Sequence, residues 1–322
     1  MRVAAIDCGT NSIRLLIADL DGAGGLADVH REMRVVRLGQ GVDATGMLAA
    51  EALERTFAAV DDYAALIRAS GADTIRFVAT SATRDAQNRD VFSAGILARL
   101  GVEPEVVTGE EEAALSFAGA ASVLPQLGED PVLVVDLGGG STEFVLGNAS
   151  GVLAGLSTDM GCVRFTERFL RSDPPTAAEV AAAVAAVQDA ISGMLAEVPV
   201  ERATALIGVA GSVTTITAHA LKLERYLPER IHGAGLAVAD VRDACTSLLE
   251  STRAQRAALP YMHPGRVDVM GAGALIWRTI VDRVAEVTGG AVSLVTSSEH
   301  DILDGIALGI PAAAPVKGRR TV

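Results

Sequence analysis

Short apolar runs recur along the chain, and several stop where glycine, serine, threonine or asparagine crowd together. Residues 3–8 (VAAIDC) predict a buried strand, and IRLLIADL predicts a second strand directly after the turn Gly9-Thr10-Asn11-Ser12. A further strand is expected over about 28–37, after a turn at Gly22-Ala23-Gly24-Gly25. Leu53, Phe57, Val60 and Ile67 fall at helical spacing and predict a helix from about Ala49 to Ser70. A strand over 74–79, a helix over about Asn88–Leu100 and a short strand over 104–107 follow. A helix from Glu110 to about Val123 leads to a second buried strand, 131–136 (PVLVVD), and then to TEFVLG and 151–157. Thr176 and Glu179 have capping-box spacing at the head of a helix over Thr176–Ala196. A third apolar strand, 204–209, runs into Gly208-Val209-Ala210-Gly211-Ser212. Helices dominate from there to Val287, followed by a strand over 291–296, a helix from about Asp301 and a frayed tail after Pro311.

The pattern contains a repeat. VAAIDCGTNSIRLLIA and VLVVDLGGGSTEFVLG share an apolar strand ending in Asp-x-Gly, a tight turn, a serine five residues after the Asp and an immediate second strand. The two copies lie about 130 residues apart and predict two related α/β domains facing each other across a cleft.

Composition narrows the function classes. The chain has 322 residues, half of them apolar, which suits one large or two medium globular domains. A net charge of −13 argues against non-specific binding to nucleic acid or to an anionic membrane. The basic residues are almost all arginine, and lysine occurs only at Lys222 and Lys317. Cys8, Cys162 and Cys245 are far apart, which predicts a reducing compartment and no zinc site. With no signal-peptide pattern and no uninterrupted apolar span of membrane length, a soluble cytoplasmic protein is expected. The five histidines are scattered and receive no role.

The repeated turn has a chemical logic. Backbone N–H groups in a tight turn converge on an anion, and glycine lets a phosphate come close to the backbone. Gly9, Thr10, Asn11 and Ser12 in the first copy, with Gly138, Gly139, Gly140, Ser141 and Thr142 in the second, are therefore candidate phosphate-binding residues. Asp7 and Asp136 would repel phosphate directly, but fit as holders of Mg²⁺ or of its waters. Walker A, HExxH and Cys/His metal patterns are absent.

The segments D-C-G-T-N-S-I-R, T-G-E-E-E-A, V-D-L-G-G-G-S-T-E and M-G-C-V-R-F-T-E resemble the exopolyphosphatase and guanosine pentaphosphate phosphatase family, within the superfamily of actin, Hsp70 and sugar kinases. R-L-G-Q-G (37–41), T-S-A-T-R-D-A-x-N (80–88) and G-R-x-D-V-M-G-A-G (265–273) extend the resemblance from residue 3 to about 310. It implies an α/β protein of two ribonuclease-H-like domains, 1–122 and 123–299, with a cleft between them. A last helix, about 300–312, returns to the first domain, and 313–322 is the frayed tail. The implied reaction is Mg²⁺-dependent hydrolysis of a terminal phosphoanhydride. Inorganic polyphosphate is the leading substrate, guanosine pentaphosphate the alternative, and a non-catalytic sensor of such ligands the third reading. Members often form homodimers, so a homodimer is the expectation here.

The resemblance places the water-activating base at Glu112, favoured over its neighbour Glu111, within Glu110-Glu111-Glu112. Glu143 matches an acidic position that helps Asp136 hold Mg²⁺, and Asn11 and Arg84 match positions that touch phosphate. Arg37, Arg164 and Arg266 are weaker candidates for the same contact and read more readily as structural. Two departures stand out. The helical domain with an HD motif found in longer relatives is not in this sequence, which predicts a preference for short chains. The late segment, usually S-x-x-G-L-R-E-G, here reads Ser297-Ser298-Glu299-His300-Asp301-Ile302-Leu303-Asp304-Gly305, with a basic residue lost and an acidic one gained.

Overall fold

The computed structural model describes residues 1–21, 25–121 and 128–311. Most of the expected Gly22–Gly25 turn, the end of the helix expected to reach Val123, the 122/123 domain boundary and the tail from 313 lie outside the described residues.

The strands are β1 (Arg2–Cys8), β2 (Ser12–Leu20), β3 (Leu26–Val35), β4 (Thr74–Ala79), β5 (Glu105–Val106), β6 (Val132–Leu137), β7 (Thr142–Asn148), β8 (Gly151–Thr158), β9 (Ala205–Val209), β10 (Gly235–Ala237) and β11 (Leu294–Ser297). They form two sheets, ordered β3-β2-β1-β4-β5 and β10-β11-β9-β6-β7-β8. In each, an antiparallel three-strand meander is followed by parallel crossovers, so the repeat read from sequence is a repeat of topology. The short β10 has no counterpart in the sequence reading, and β11 starts later than expected.

Register makes the repeat exact at the strand ends. Asp7 pairs with Arg14 across β1 and β2, and Asp136 pairs with Glu143 across β6 and β7. The Gly9 N–H donates to the Ser12 carbonyl at 3.0 Å, and the Gly138 N–H to the Ser141 carbonyl at 3.1 Å. Both turns are thus closed by the same hydrogen bond.

The helices are α1 (Val42–Thr45), α2 (Ala50–Ser70), α3 (Ser81–Asp85), α4 (Arg89–Leu100), α5 (Gly109–Ala121), α6 (Cys162–Arg168), α7 (Ala177–Glu197), α8 (Ala210–Ala220), α9 (Pro228–Ile231), α10 (Val238–Glu250), α11 (Arg253–Ala257), α12 (Met270–Val287) and α13 (Ile302–Leu308). One face of the first sheet is covered by α2 and α4 through Val60, Tyr63, Ile67, Phe92 and Ile96. The second sheet packs on α7, α8, α10 and α12, with Trp277 fully buried at its centre. The Thr176 capping box starts α7 as predicted. This helix is long and apolar enough to cross a membrane by length and composition alone. Here its Ala183, Val187, Ile191 and Met194 stripe lies in the core.

The helix α5 joins the two halves. Its Ala113, Phe117 and Ala120 pack on β6, β7 and β9, while α13 returns from the end of the chain to cover β1, β2 and β4 beside it. The crossing of α5 and α13 needs two glycines. A Cβ on Gly119 would sit 1.7 Å from the Asp301 carbonyl oxygen, and one on Gly305 would sit 1.9 Å from that of Leu115. The acidic residues of the late segment are structural at this seam. Asp301 caps α13 and pairs with Arg14, while buried Asp304 binds Arg31 at 2.5 Å and His300 at 2.9 Å. Those partners hold the Asp304 carboxyl well below the usual carboxylate range despite its burial.

Candidate active site

Strands β1 and β6 end side by side, so their two turns face each other across a cavity of about 90 Å³. The approach is close: a Cβ on Gly140 would lie 2.5 Å from Ser81 Oγ and 2.6 Å from Thr10 Oγ1. Gly9, Thr10, Asn11 and Ser12 line the cavity from one side, and Gly138, Gly139, Gly140 and Ser141 from the other. The first turn is braced from outside, because the Asn11 carbonyl accepts from the Val36 and Arg37 N–H groups and the Thr10 carbonyl from that of Gly39. Among the described residues, the N–H groups of Thr10, Asn11, Gly139 and Gly140 have no acceptor. Free N–H groups from two facing turns form a cradle for anions.

Carboxylates flank this cradle. Asp7, Glu112, Asp136 and Glu143 line the cavity and are all at least nine-tenths buried. Burial raises each carboxyl, because a charge is costly away from water. Glu112 is pushed up to about 6 and Asp136 to about 7. Glu143 is raised well above its usual range, first by burial and then by the charges of Glu112 and Asp136. Asp7 is raised less, since Arg14 offsets the burial.

Each carboxylate is also held. Arg14 donates twice to Asp7 Oδ2, at 2.7 and 2.9 Å, and also pairs with Asp301. Ser116, one turn after Glu112 on α5, donates to Asp136 Oδ2 at 2.5 Å. Ser157 on β8 donates to Glu143 Oε1 at 2.7 Å. Arg84 Nη1 donates to Glu112 Oε2 at 2.8 Å and to the Val107 carbonyl at 3.0 Å. Neither serine was marked by the sequence reading, because nothing local to Ser116 or Ser157 points to a carboxylate 20 or 14 residues away.

The candidate residues do not all converge. Glu111 is exposed and caps the start of α5, accepting from the Thr108 N–H at 2.8 Å. Glu112 therefore lines the cavity and Glu111 does not. Thr142 is buried, its hydroxyl donating to the Met160 carbonyl rather than facing the cavity. Arg84 is behind Glu112 and is not part of the cavity lining. Of the arginines read as structural, Arg37 pairs with Asp268 at 3.0 Å, and Arg164 joins Asp43 and Asp85 to the Gly140 carbonyl. Arg266 lines the cavity, and its side chain has no hydrogen-bond or ion-pair partner among the described residues. The glycine segment 208–212 divides. A Cβ on Gly208 would meet the Trp277 ring at 2.6 Å, which is a packing constraint, whereas Ala210, Gly211 and Ser212 line the cavity. Ala210 holds a left-handed φ of 71°, a strained position at the head of α8.

A divalent cation fits the chemistry of this donor set. Asp7 Oδ1 is buried without a partner, and the carboxylates beside it resist ionising in each other's presence. Among the described residues no three His, Cys, Asp or Glu side chains form a ready-made metal cluster. That is compatible with Mg²⁺, which keeps several waters and takes only one or two carboxylates together with substrate phosphates.

The sequence matches the model of the Ppx/GppA phosphatase family over residues 16–306. The chain belongs to this family. Within it, the chain is 52% identical over 317 residues to Exopolyphosphatase 2 of Mycobacterium tuberculosis, covering 96% of this chain and 98% of that one. It is 30% identical over 268 residues to the guanosine-5'-triphosphate,3'-diphosphate pyrophosphatase of Photobacterium profundum, covering 83% of this chain and 50% of that one. A solved exopolyphosphatase-like protein superposes with a TM-score of 0.91 at 46% identity, covering 95% of this chain and 96% of its own.

Proposed function

We propose that this Ppx/GppA protein is an exopolyphosphatase that hydrolyses the terminal phosphoanhydride of inorganic polyphosphate, with Mg²⁺. The observation that carries the reading is Glu112. It is a buried carboxyl whose proton affinity lies near neutrality, facing a cradle of free N–H groups. A base tuned this way accepts a proton from water at physiological pH.

In this reading the N–H groups of Thr10, Asn11, Gly139 and Gly140 hold the phosphate oxygens, and the hydroxyls of Ser12 and Ser141 add donors. Because they are fixed before substrate arrives, no reorganisation is needed when charge develops. Glu112 orients the attacking water and takes its proton. Arg84 holds Glu112 through Oε2 and favours its charged form. Asp7, Asp136 and Glu143 would hold Mg²⁺ directly or through its waters. When bound, the ion supplies charge neutralisation to the phosphate oxygens. Ser116 and Ser157 keep two of those carboxylates oriented.

The relative from Photobacterium profundum supports a second reading, guanosine pentaphosphate as substrate. A panel of tripolyphosphate, long-chain polyphosphate, guanosine pentaphosphate and ATP, each with and without Mg²⁺, tests both. Orthophosphate release from polyphosphate that requires Mg²⁺ is expected. Release from guanosine pentaphosphate alone would favour the second reading, and binding without release would favour a sensor.

A further inference from the structure

The cavity between the turns leads into a larger one of about 470 Å³, and the two share Arg14, Ala210, Gly211 and Arg266. The other recess that borders the turns, lined by Thr10, Gly140 and the Arg164 ion pairs with Asp43 and Asp85, has only about 10 Å³. A phosphate chain too long for the small cavity therefore extends toward the large one.

The large cavity does not welcome a polyanion. Its basic side chains are mostly spent: Arg14 on Asp7 and Asp301, Arg31 on Asp28 and Asp304. Arg266 is the exception, at the junction, stacked on Gly211 so closely that a Cβ there would lie 2.1 Å from the guanidinium carbon. Beyond it stands Glu299. Its Oε1 accepts from the Tyr226 hydroxyl at 2.6 Å, and it has no ion-pair partner among the described residues. A chain leaving the small cavity thus meets one unpaired cation and then one unpaired, half-buried anion.

We propose that Glu299 is a specificity-determining residue that limits the length of phosphate chain the site accepts, by repelling the units that extend past Arg266. The inference rests on the exopolyphosphatase reading. Repulsion in a partly desolvated cavity is stronger than in water, so one charge suffices for a measurable effect.

The test compares kcat/KM on tripolyphosphate and on polyphosphate of tens of units for wild type, Glu299→Gln and Glu299→Ala. The long-to-short ratio is expected to rise about tenfold in both variants, through KM on the long chain. A purely structural role would lower kcat on both substrates and leave the ratio unchanged, and that result overturns the proposal. Wild-type protein that releases phosphate from neither chain overturns the parent reading as well. Wild-type turnover of tripolyphosphate with an unmoved ratio in the variants overturns this inference alone.

Discussion

Arg84 holds Glu112 from behind: one guanidinium nitrogen reaches Glu112 Oε2 at 2.8 Å and the Val107 carbonyl at 3.0 Å. Burial raises the Glu112 carboxyl to about 6, and Arg84 is the strongest influence pulling it back. In Arg84→Met, the carboxyl should titrate at higher pH. The acid limb of kcat/KM, expected near pH 6 in wild type, should then move up by about one unit. A pH–rate profile of both proteins checks this, and an unmoved acid limb would dissociate Glu112 from the titrating group.

Gly140 is where the two turns touch. In Gly140→Ala, the methyl group would lie within 2.6 Å of Ser81 Oγ and Thr10 Oγ1. Overpacking of this kind costs about 1–3 kcal/mol. It should also separate the two sets of N–H donors and raise KM for tripolyphosphate. Thermal melting and steady-state kinetics of this variant measure the two effects separately.

Metal binding and pH should be linked through Asp136. Its folded value of about 7 lies above the ordinary 3.8, so in metal-free protein the folded state keeps a proton that the unfolded chain releases. That contribution to stability is complete below about pH 4 and is lost as pH rises through about 7. Adding Mg²⁺ should therefore raise Tm by a few degrees at pH 8 and by much less at pH 5.5, since the cation competes with the proton. Calorimetry with and without Mg²⁺ at the two pH values checks the sign.

Arg164 ties α6 to the first half of the molecule through Asp43 and Asp85, and also holds the Gly140 carbonyl at 2.8 Å. Removing it leaves Asp85 without its cation and Asp43 with Arg168 alone, at a cost of about 1–2 kcal/mol. Arg164→Ala should melt earlier and bind tripolyphosphate more weakly. Chemical denaturation and calorimetric titration measure these two quantities.

The sequence showed most of what depends on local pattern. The Asp-x-Gly turns were legible because each joins two apolar strands at fixed offsets, and the sheets reproduce that plan. The capping box at Thr176 was legible because it lies within one helical turn. The short helices α1, α3 and α6 were not marked, since four to seven residues carry too little periodicity to mark them. The site was half legible. Glu112 and the turn residues came from motif and resemblance, which already favoured Glu112 over Glu111, and the fold puts Glu112 in the cavity lining and Glu111 at the head of α5. Whether an arginine is free or paired is a tertiary fact. Arg37 and Arg164 proved to be paired, as structural residues are, while Arg266 is free and lines both cavities.

The account turns on Glu112 as the base that activates water. Orthophosphate release from tripolyphosphate with Mg²⁺ should fall by about 10²–10⁴-fold in Glu112→Gln, while calorimetric binding of the same substrate stays within a few-fold of wild type. Turnover that is unchanged in Glu112→Gln would contradict the account.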